Sequence, residues 1–344
     1  MKITSEKVLN KWVETTLTNN NGMQVRFLNF GGIITEIIVP NRDGVLENVV
    51  LGYRQYEEYE QNPNYFGAII GRVAGRIQDA SFHLDGKRYE LENNEETRHL
   101  HGGSGGFHQV MWETSPFQTN NQIGVQLSHT SPDGEGGYPG RVNVTVTYTL
   151  TNKNEFFIDY QAISDKKTIL TLTNHTYFNL TGQQKETVGN HFVNMNSDQF
   201  IELNQNLLPT GKLIDVTHTP FDFRKGKRLI EGLKATHPQN ITVGHGYDHY
   251  FLFNKDAEPS IIVKEDTSGR ILEINTDQPG VVMYTGNGLD NQLQLREGMS
   301  KKYLGVCFET QGPPASLHQQ GLPSILLEAN EPYKKQTRFA FHRY

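Results

Sequence analysis

The segment VNVTVTYTL alternates without a break. Val142, Val144, Val146, Tyr148 and Leu150 fall on one face, and Asn143, Thr145, Thr147 and Thr149 on the other. Successive side chains of a strand point to opposite faces, so this period of two specifies a half-buried β-strand rather than a helix. The same alternation recurs in Val125–Ser128, in FFIDYQAI from Phe156, in TILTLTN from Thr168 and in ILEIN from Ile271, with IITEIIV near the start as a more buried version. Asp85-Gly86 between SFHL and KRYEL is a two-residue hairpin signal, and Asp43-Gly44 breaks the run between IIVP and VLENVVL, so antiparallel pairing is expected. Helical periodicity is nearly absent; YRQYEEYEQN, Tyr53 to Asn62, is the best short candidate and is expected to bury little. The chain's 344 residues could make two domains, but large sandwiches grow past the usual domain size without splitting. With 33 glycines and neither a Pro/Ser-rich linker nor a fixed-period repeat, the expectation is one domain over residues 1–344. Its class is all-β, a large antiparallel β-sandwich with few short helices.

Charge narrows the partners. A net charge of −6 and no Lys/Arg block argue against nucleic acid or an anionic membrane, whose phosphates require a basic face. Met1 to Thr18 carries Lys2, Glu6, Lys7, Lys11 and Glu14, which leaves no apolar signal-peptide core, and no stretch reaches membrane-span length. The chain therefore reads as soluble and cytoplasmic, with a small, roughly neutral ligand. Its single cysteine, Cys307, can form neither an internal disulfide nor a cysteine zinc site and is expected to be a small buried hydrophobe.

Several loops could carry chemistry. RHLHGGSGGFHQVMW holds His99 and His101 at H-x-H spacing, but Ser104 and Gly105 stand where a metal site would want a carboxylate. Gly102 to Gly106 formally matches G-x-S-x-G, a motif that requires a parallel α/β sheet this pattern lacks. A glycine-rich loop that brings one histidine close to a ligand, or simply a flexible loop, are the remaining readings. GAIIGRVAGRI places Arg72 and Arg76 after glycines and fits no nucleotide motif; two guanidiniums in so apolar a run need partners, either a structural ion pair or a ligand. Glu309 follows the buried run Val306-Cys307-Phe308, so desolvation should raise its pKa toward that of a general base. Asp248, in GYDHYFLF, sits among aromatics as in a sugar site. In LTNHTYFNL, His175 lies between Asn174 and Thr176, and imidazole is the side chain whose ordinary pKa sits near neutrality.

YFGAIIGRVAGRI, LHGGSGGFHQVMW, LTNHTYFNL, YDHYF, VVMYTGN and FETQ, in this order from about Asn21 onward, together resemble the aldose 1-epimerase family, the galactose mutarotases. The resemblance implies the galactose mutarotase-like sandwich with an open sugar cleft. It also implies that Glu309 is the general base, that His175 is the general acid, and that Arg76, His101 and Asp248 hold the sugar. Aldoses, galactose and glucose among them, are the implied substrates, with no metal or cofactor. Removing the C1 hydroxyl proton while protonating the ring oxygen opens the ring, and reclosure after rotation gives the other anomer. Asn174 and Thr176 are expected to orient the His175 ring. Rate should fall at low pH, where Glu309 loses its charge, and at high pH, where His175 loses its proton. Gly75 departs from relatives with Asn before the arginine, and LLEANEPY departs from their Arg-Pro-Gly. The competing readings are a glycosidase using Asp248 and Glu309, and a noncatalytic sugar-binding protein.

Overall fold

The computed structural model describes residues 1–254 and 258–344. All pairs among the named strands are antiparallel, and they gather into a nine-stranded, a six-stranded and a five-stranded sheet with smaller ribbons. In the nine-stranded sheet Val142–Thr151, Glu155–Ser164, Pro332–Arg343 and Arg270–Thr276 run side by side through the centre. The six-stranded sheet runs in the order Tyr177–Phe178, Val306–Thr310, Gly280–Tyr284, Asp248–Leu252, Gln199–Leu203 and Pro209–Asp215. The α-helices described, Ile230–Leu233 and Pro238–Thr242, are single turns, in keeping with the all-β expectation.

One core joins the two large sheets. Val142, Val144, Val146, Tyr148 and Leu150 supply it from the nine-stranded sheet; Phe251, Val281, Met283, Val306 and Phe308 supply it from the six-stranded one. Each fully buried aliphatic or aromatic side chain contributes about 1.5–3 kcal/mol, so truncating Phe308 to alanine should cost about 3–5 kcal/mol. The alternation that points Phe251, Met283 and Phe308 inward leaves Asp248, Tyr250, Val282, Tyr284, Cys307 and Glu309 on the opposite face. The cleft is built on that outer face.

Local details depart from the sequence expectations for physical reasons. TILTLTN is not one strand: Thr168–Ile169 pairs with Leu326–Leu327, Thr173–Asn174 pairs with Ile69–Ile70, and Thr171 between them donates to Arg72 O at 3.0 Å. Every residue of this segment is buried, so its alternation marks no solvent face and it threads between sheets. The Tyr53–Asn62 candidate becomes a 3₁₀ helix over Tyr56–Glu60, and it buries more than expected: Tyr53, Tyr59 and Asn62 are all enclosed. The Asp85-Gly86 hairpin forms as read, with both residues at positive φ and Leu84 paired to Lys87.

Candidate active site

Register assembles the cleft wall. Asp248 lies opposite Tyr284, and Tyr284 opposite Cys307; one step along, Tyr250 lies opposite Val282, and Val282 opposite Glu309. Tyr177 on the edge strand also faces Cys307. His175 arrives from the segment just before that edge strand. Its backbone N–H donates to Ala68 O at 2.9 Å, and its carbonyl accepts from Gly67 N–H at 3.0 Å. Asn174 donates to Gly67 O and accepts from the Thr176 hydroxyl. These two residues thus anchor the backbone beside His175 rather than orienting its ring, which corrects the expectation. The ring is held by the Val306–Thr310 strand instead: Nε2 lies 3.5 Å from Glu309 Oε1, and Nδ1 lies 3.6 Å from Cys307 Sγ.

A cavity of about 430 Å³ opens over these groups, lined by Arg76, His101, His175, Asp248 and Glu309 together with Tyr65, Tyr177, Tyr250, Tyr284 and Gln311. All five residues singled out from the sequence therefore meet in one place. The volume suits a small molecule, and the mixture of aromatic faces with a few convergent polar groups is that of a ligand pocket.

Burial dominates the electrostatics. It raises the pKa of Glu309 well above the ordinary carboxylate range, the negative charge of Asp248 adds to the rise, and Arg76 opposes it. His175 moves the other way, pushed down by burial to about 4, with His108 and Arg76 adding repulsion. Burial thus disfavours the charged form of both groups. Burial raises Asp248 as well, against the pull of Arg76. Burial opposes the charge of Arg76, yet Asp248 and Glu95 outweigh it and hold the guanidinium above its ordinary pKa. Arg76 makes a two-pronged pair with Glu95, Nε and Nη2 at 2.7 and 2.9 Å, and its Nη1 approaches Asp248 Oδ2 at 3.6 Å.

His101 is fixed from behind. Its Nδ1 accepts the Gly75 N–H at 3.1 Å, and burial, first among several causes, keeps the ring neutral by lowering its pKa well below the ordinary value. A neutral imidazole that accepts at Nδ1 carries its proton on Nε2, so His101 presents a donor. That bears on metal binding. One potential ligand atom from each of His101, His175 and Glu309 lies within 4.8 Å of the others, a grouping linear spacing did not reveal. Ligation through His101 Nε2 would move its proton to Nδ1, against the Gly75 N–H, so the donor set fits a hydroxylated ligand better than a cation.

The remaining candidates fall outside the cleft. His99 binds Glu92 O through Nδ1 at 2.8 Å and the Tyr138 hydroxyl through Nε2 at 2.6 Å, so the H-x-H spacing does not make a pair. Ser104 is exposed, and its N–H donates to Glu92 Oε2. Gly102, at φ 86°, presses against Gly71 O, 1.9 Å from where a Cβ would sit, so this glycine serves close backbone packing. Arg72 is structural, but its bonds go to the Ser131 hydroxyl and to the carbonyls of Ser131, Pro132 and Pro139 rather than to a carboxylate. Asp248 approaches Arg76 and Glu309 approaches His175, while the charges of Asp248 and Arg76 also act on Glu309. Glu95 gave no sequence signal, lying in the polar run ENNEETR, and Cys307 gave only that of a core residue.

A β-sandwich with this cleft is of the galactose mutarotase-like class. The galactose 1-epimerase structure from Lactobacillus acidophilus matches it with a TM-score of 0.88 at 30% identity, covering 99% of this chain and 98% of that one. The chain belongs to the aldose 1-epimerase family, whose model matches residues 14–340. It is 41% identical to the galactose mutarotase of Rattus norvegicus, over 96% of this chain and 94% of that protein. It is also 33% identical to the maltose epimerase of Levilactobacillus brevis, over 95% of this chain and 94% of that protein. The protein is therefore an isomerase that interconverts sugar anomers. Among the described residues, no helix is long and apolar enough to cross a membrane.

Proposed function

We propose that this enzyme interconverts the α and β anomers of D-galactose and D-glucose, with Glu309 as general base and His175 as general acid. The observation that carries the reading is the 3.5 Å approach of His175 Nε2 to Glu309 Oε1 on one wall of the cavity. The C1 hydroxyl oxygen and the ring oxygen share one carbon, so two groups this close reach both at once. Glu309 takes the C1 hydroxyl proton, His175 gives a proton to the ring oxygen, and the C1–O5 bond breaks to leave an aldehyde. Rotation about C1–C2 and the reverse transfers close the other anomer, and both residues return to their starting protonation. Because burial disfavours both charges, passing one proton from Glu309 to Nε2 arms both groups without a change in proton count. Each proton transfer is worth about 10²–10⁴-fold. His101 donates to a sugar oxygen from Nε2, while Arg76 and Asp248 bind further hydroxyls.

Galactose is the leading substrate because the mutarotase and 1-epimerase relatives carry that sugar in their names. We read residues 1–344 as one domain working in the cytoplasm. Polarimetry on freshly dissolved α-galactose and α-glucose, with and without the protein, tests the proposal. Galactose should relax faster with protein and glucose likewise; galactose binding without acceleration of either sugar would overturn it.

A further inference from the structure

The Val306–Thr310 strand grips both nitrogens of one imidazole. Glu309 and Cys307, two residues apart and therefore on the same face, approach His175 Nε2 and Nδ1 at 3.5 and 3.6 Å. Nothing in the mechanism above uses the thiol. Its position is nonetheless specific: Cys307 is fully buried, lies between Tyr177 and Tyr284 in register, and places its sulfur where a catalytic histidine usually has its orienting partner.

Chemistry decides the direction of that contact. Nε2 is the nitrogen that faces Glu309, so it is the one that gains and loses the travelling proton. When imidazolium gives up the Nε2 proton, the neutral ring left behind holds its remaining proton on Nδ1. That N–H points at the sulfur. We infer that Cys307 is a positioning residue for the reaction: its sulfur accepts the Nδ1–H of His175, fixing the tautomer that leaves Nε2 free to exchange the proton. This rests on the proposed role of His175. The choice of sulfur has a consequence. A carboxylate or carbonyl at this place would stabilise the imidazolium and make it a weaker acid, whereas a thiol is a weak acceptor that orients the ring and stabilises the cation little. An acid that must protonate a poorly basic ring oxygen gains from staying strong.

The test reads the tautomer directly. Long-range ¹H–¹⁵N correlation spectra of the uniformly ¹⁵N-labelled protein at neutral pH, with the His175 signals assigned by their loss in His175→Asn, should show Nδ1 protonated and Nε2 bare. Cys307→Ala should lose that preference and lower kcat roughly tenfold or more, with little change in KM. Cys307→Ser should restore the tautomer and much of the rate. Because its oxygen is the better acceptor, it should also raise the pH at which His175 titrates. A protonated Nε2 in the unaltered, active protein overturns the inference, as does Cys307→Ala with parental tautomer and parental kcat. If Cys307→Ala does not fold, the spectrum of the unaltered protein still decides. Failure of the unaltered protein to accelerate mutarotation would strike the proposed function instead, and the tautomer would be read all the same.

Discussion

Gly75 and His101 hold each other by two hydrogen bonds: the Gly75 N–H donates to His101 Nδ1 at 3.1 Å, and the His101 N–H donates to Gly75 O at 3.1 Å. The backbone of one residue thereby sets both the place and the tautomer of the other. Gly75 can do so because its φ of 90° costs glycine nothing. It also stands close to Pro314 and Gln311, whose Cγ and Nε2 would lie 3.0 and 3.3 Å from a Cβ.

Gly75→Ala should therefore destabilise the protein by about 1–2 kcal/mol and loosen His101. Urea denaturation checks the first effect. Kinetics check the second: KM for galactose should rise, since the Nε2–H donor is no longer fixed. An unchanged KM with parental stability would mean that the Gly75 contact does not position His101.

Activity should survive exhaustive chelation, because His101 Nε2 carries a proton and offers no lone pair to a metal. Loss of rate in EDTA with recovery on added zinc would reverse this. Ser104→Ala should leave turnover intact, and a fluorophosphonate should not label the exposed Ser104.

Alternation made the fold legible, and it also made half the site legible. A strict period of two says which residues of a strand share a face, and that rule separates Phe308 in the core from Glu309 in the cleft. What it does not give is the partner across the sheet. The approach of Cys307 to His175 spans 132 positions, and the pairing of Arg76 with Glu95 spans 19 positions with the Asp85-Gly86 hairpin between them. Proton placement was illegible for a related reason. The upward shift of Glu309 and the downward shift of His175 follow from shared burial and from the charges of Asp248 and Arg76, which come from separate segments. TILTLTN misled because alternation reports a half-buried strand only where one face meets water, and none of that segment does.

Arg76→Ala and Asp248→Ala should each lower kcat/KM for galactose at least tenfold, since a charge-assisted hydrogen bond is worth about 1.5–3 kcal/mol. Their effects should not add. Each touches the other at 3.6 Å, so the double variant should lose less than the product of the single losses. Parental efficiency in both single variants would mean that the sugar lies elsewhere.

Acid should weaken the fold. Burial lowers the pKa of His108, His175 and His191 to about 4 and that of His249 to about 3. Between those values and the ordinary 6.5 the unfolded chain binds more protons than the native one, so stability falls as pH drops through this window. Glu309 acts in the opposite sense, because its raised pKa means that the folded state loses stability as the carboxyl ionises. Burial also raises Asp248 and Glu297 and also lowers His99, His101, His129, His237 and His318, so nine lowered histidines against three raised carboxyls set the net sign. The urea midpoint should be clearly lower at pH 4.5 than at pH 7, and a midpoint that rises on acidification would contradict the neutral buried histidines.

The proton-transfer pair gives the sharpest test. Glu309→Gln keeps the shape but cannot accept the C1 proton, and His175→Asn keeps polarity but cannot donate to the ring oxygen. Each should lose roughly 10²-fold or more in kcat while still binding galactose, because each acts mainly on the transition state. The unaltered enzyme should show a bell-shaped profile, but with its limbs reversed from the simple expectation. The active form holds one proton across the pair. Acid ends activity when His175, lowered to about 4, takes a second proton; alkali ends it when Glu309, raised by burial and by Asp248, gives up the last. Asp248→Asn separates the two assignments. Removing that negative charge lowers the pKa of Glu309, so the alkaline limb of kcat/KM should move to lower pH. If Glu309 governed the acid limb in the ordinary way, the alkaline limb would stay where it is. Initial mutarotation rates by polarimetry, corrected for buffer catalysis across pH 4 to 10, decide between them, and an unmoved alkaline limb would show that the resting proton is not on Glu309.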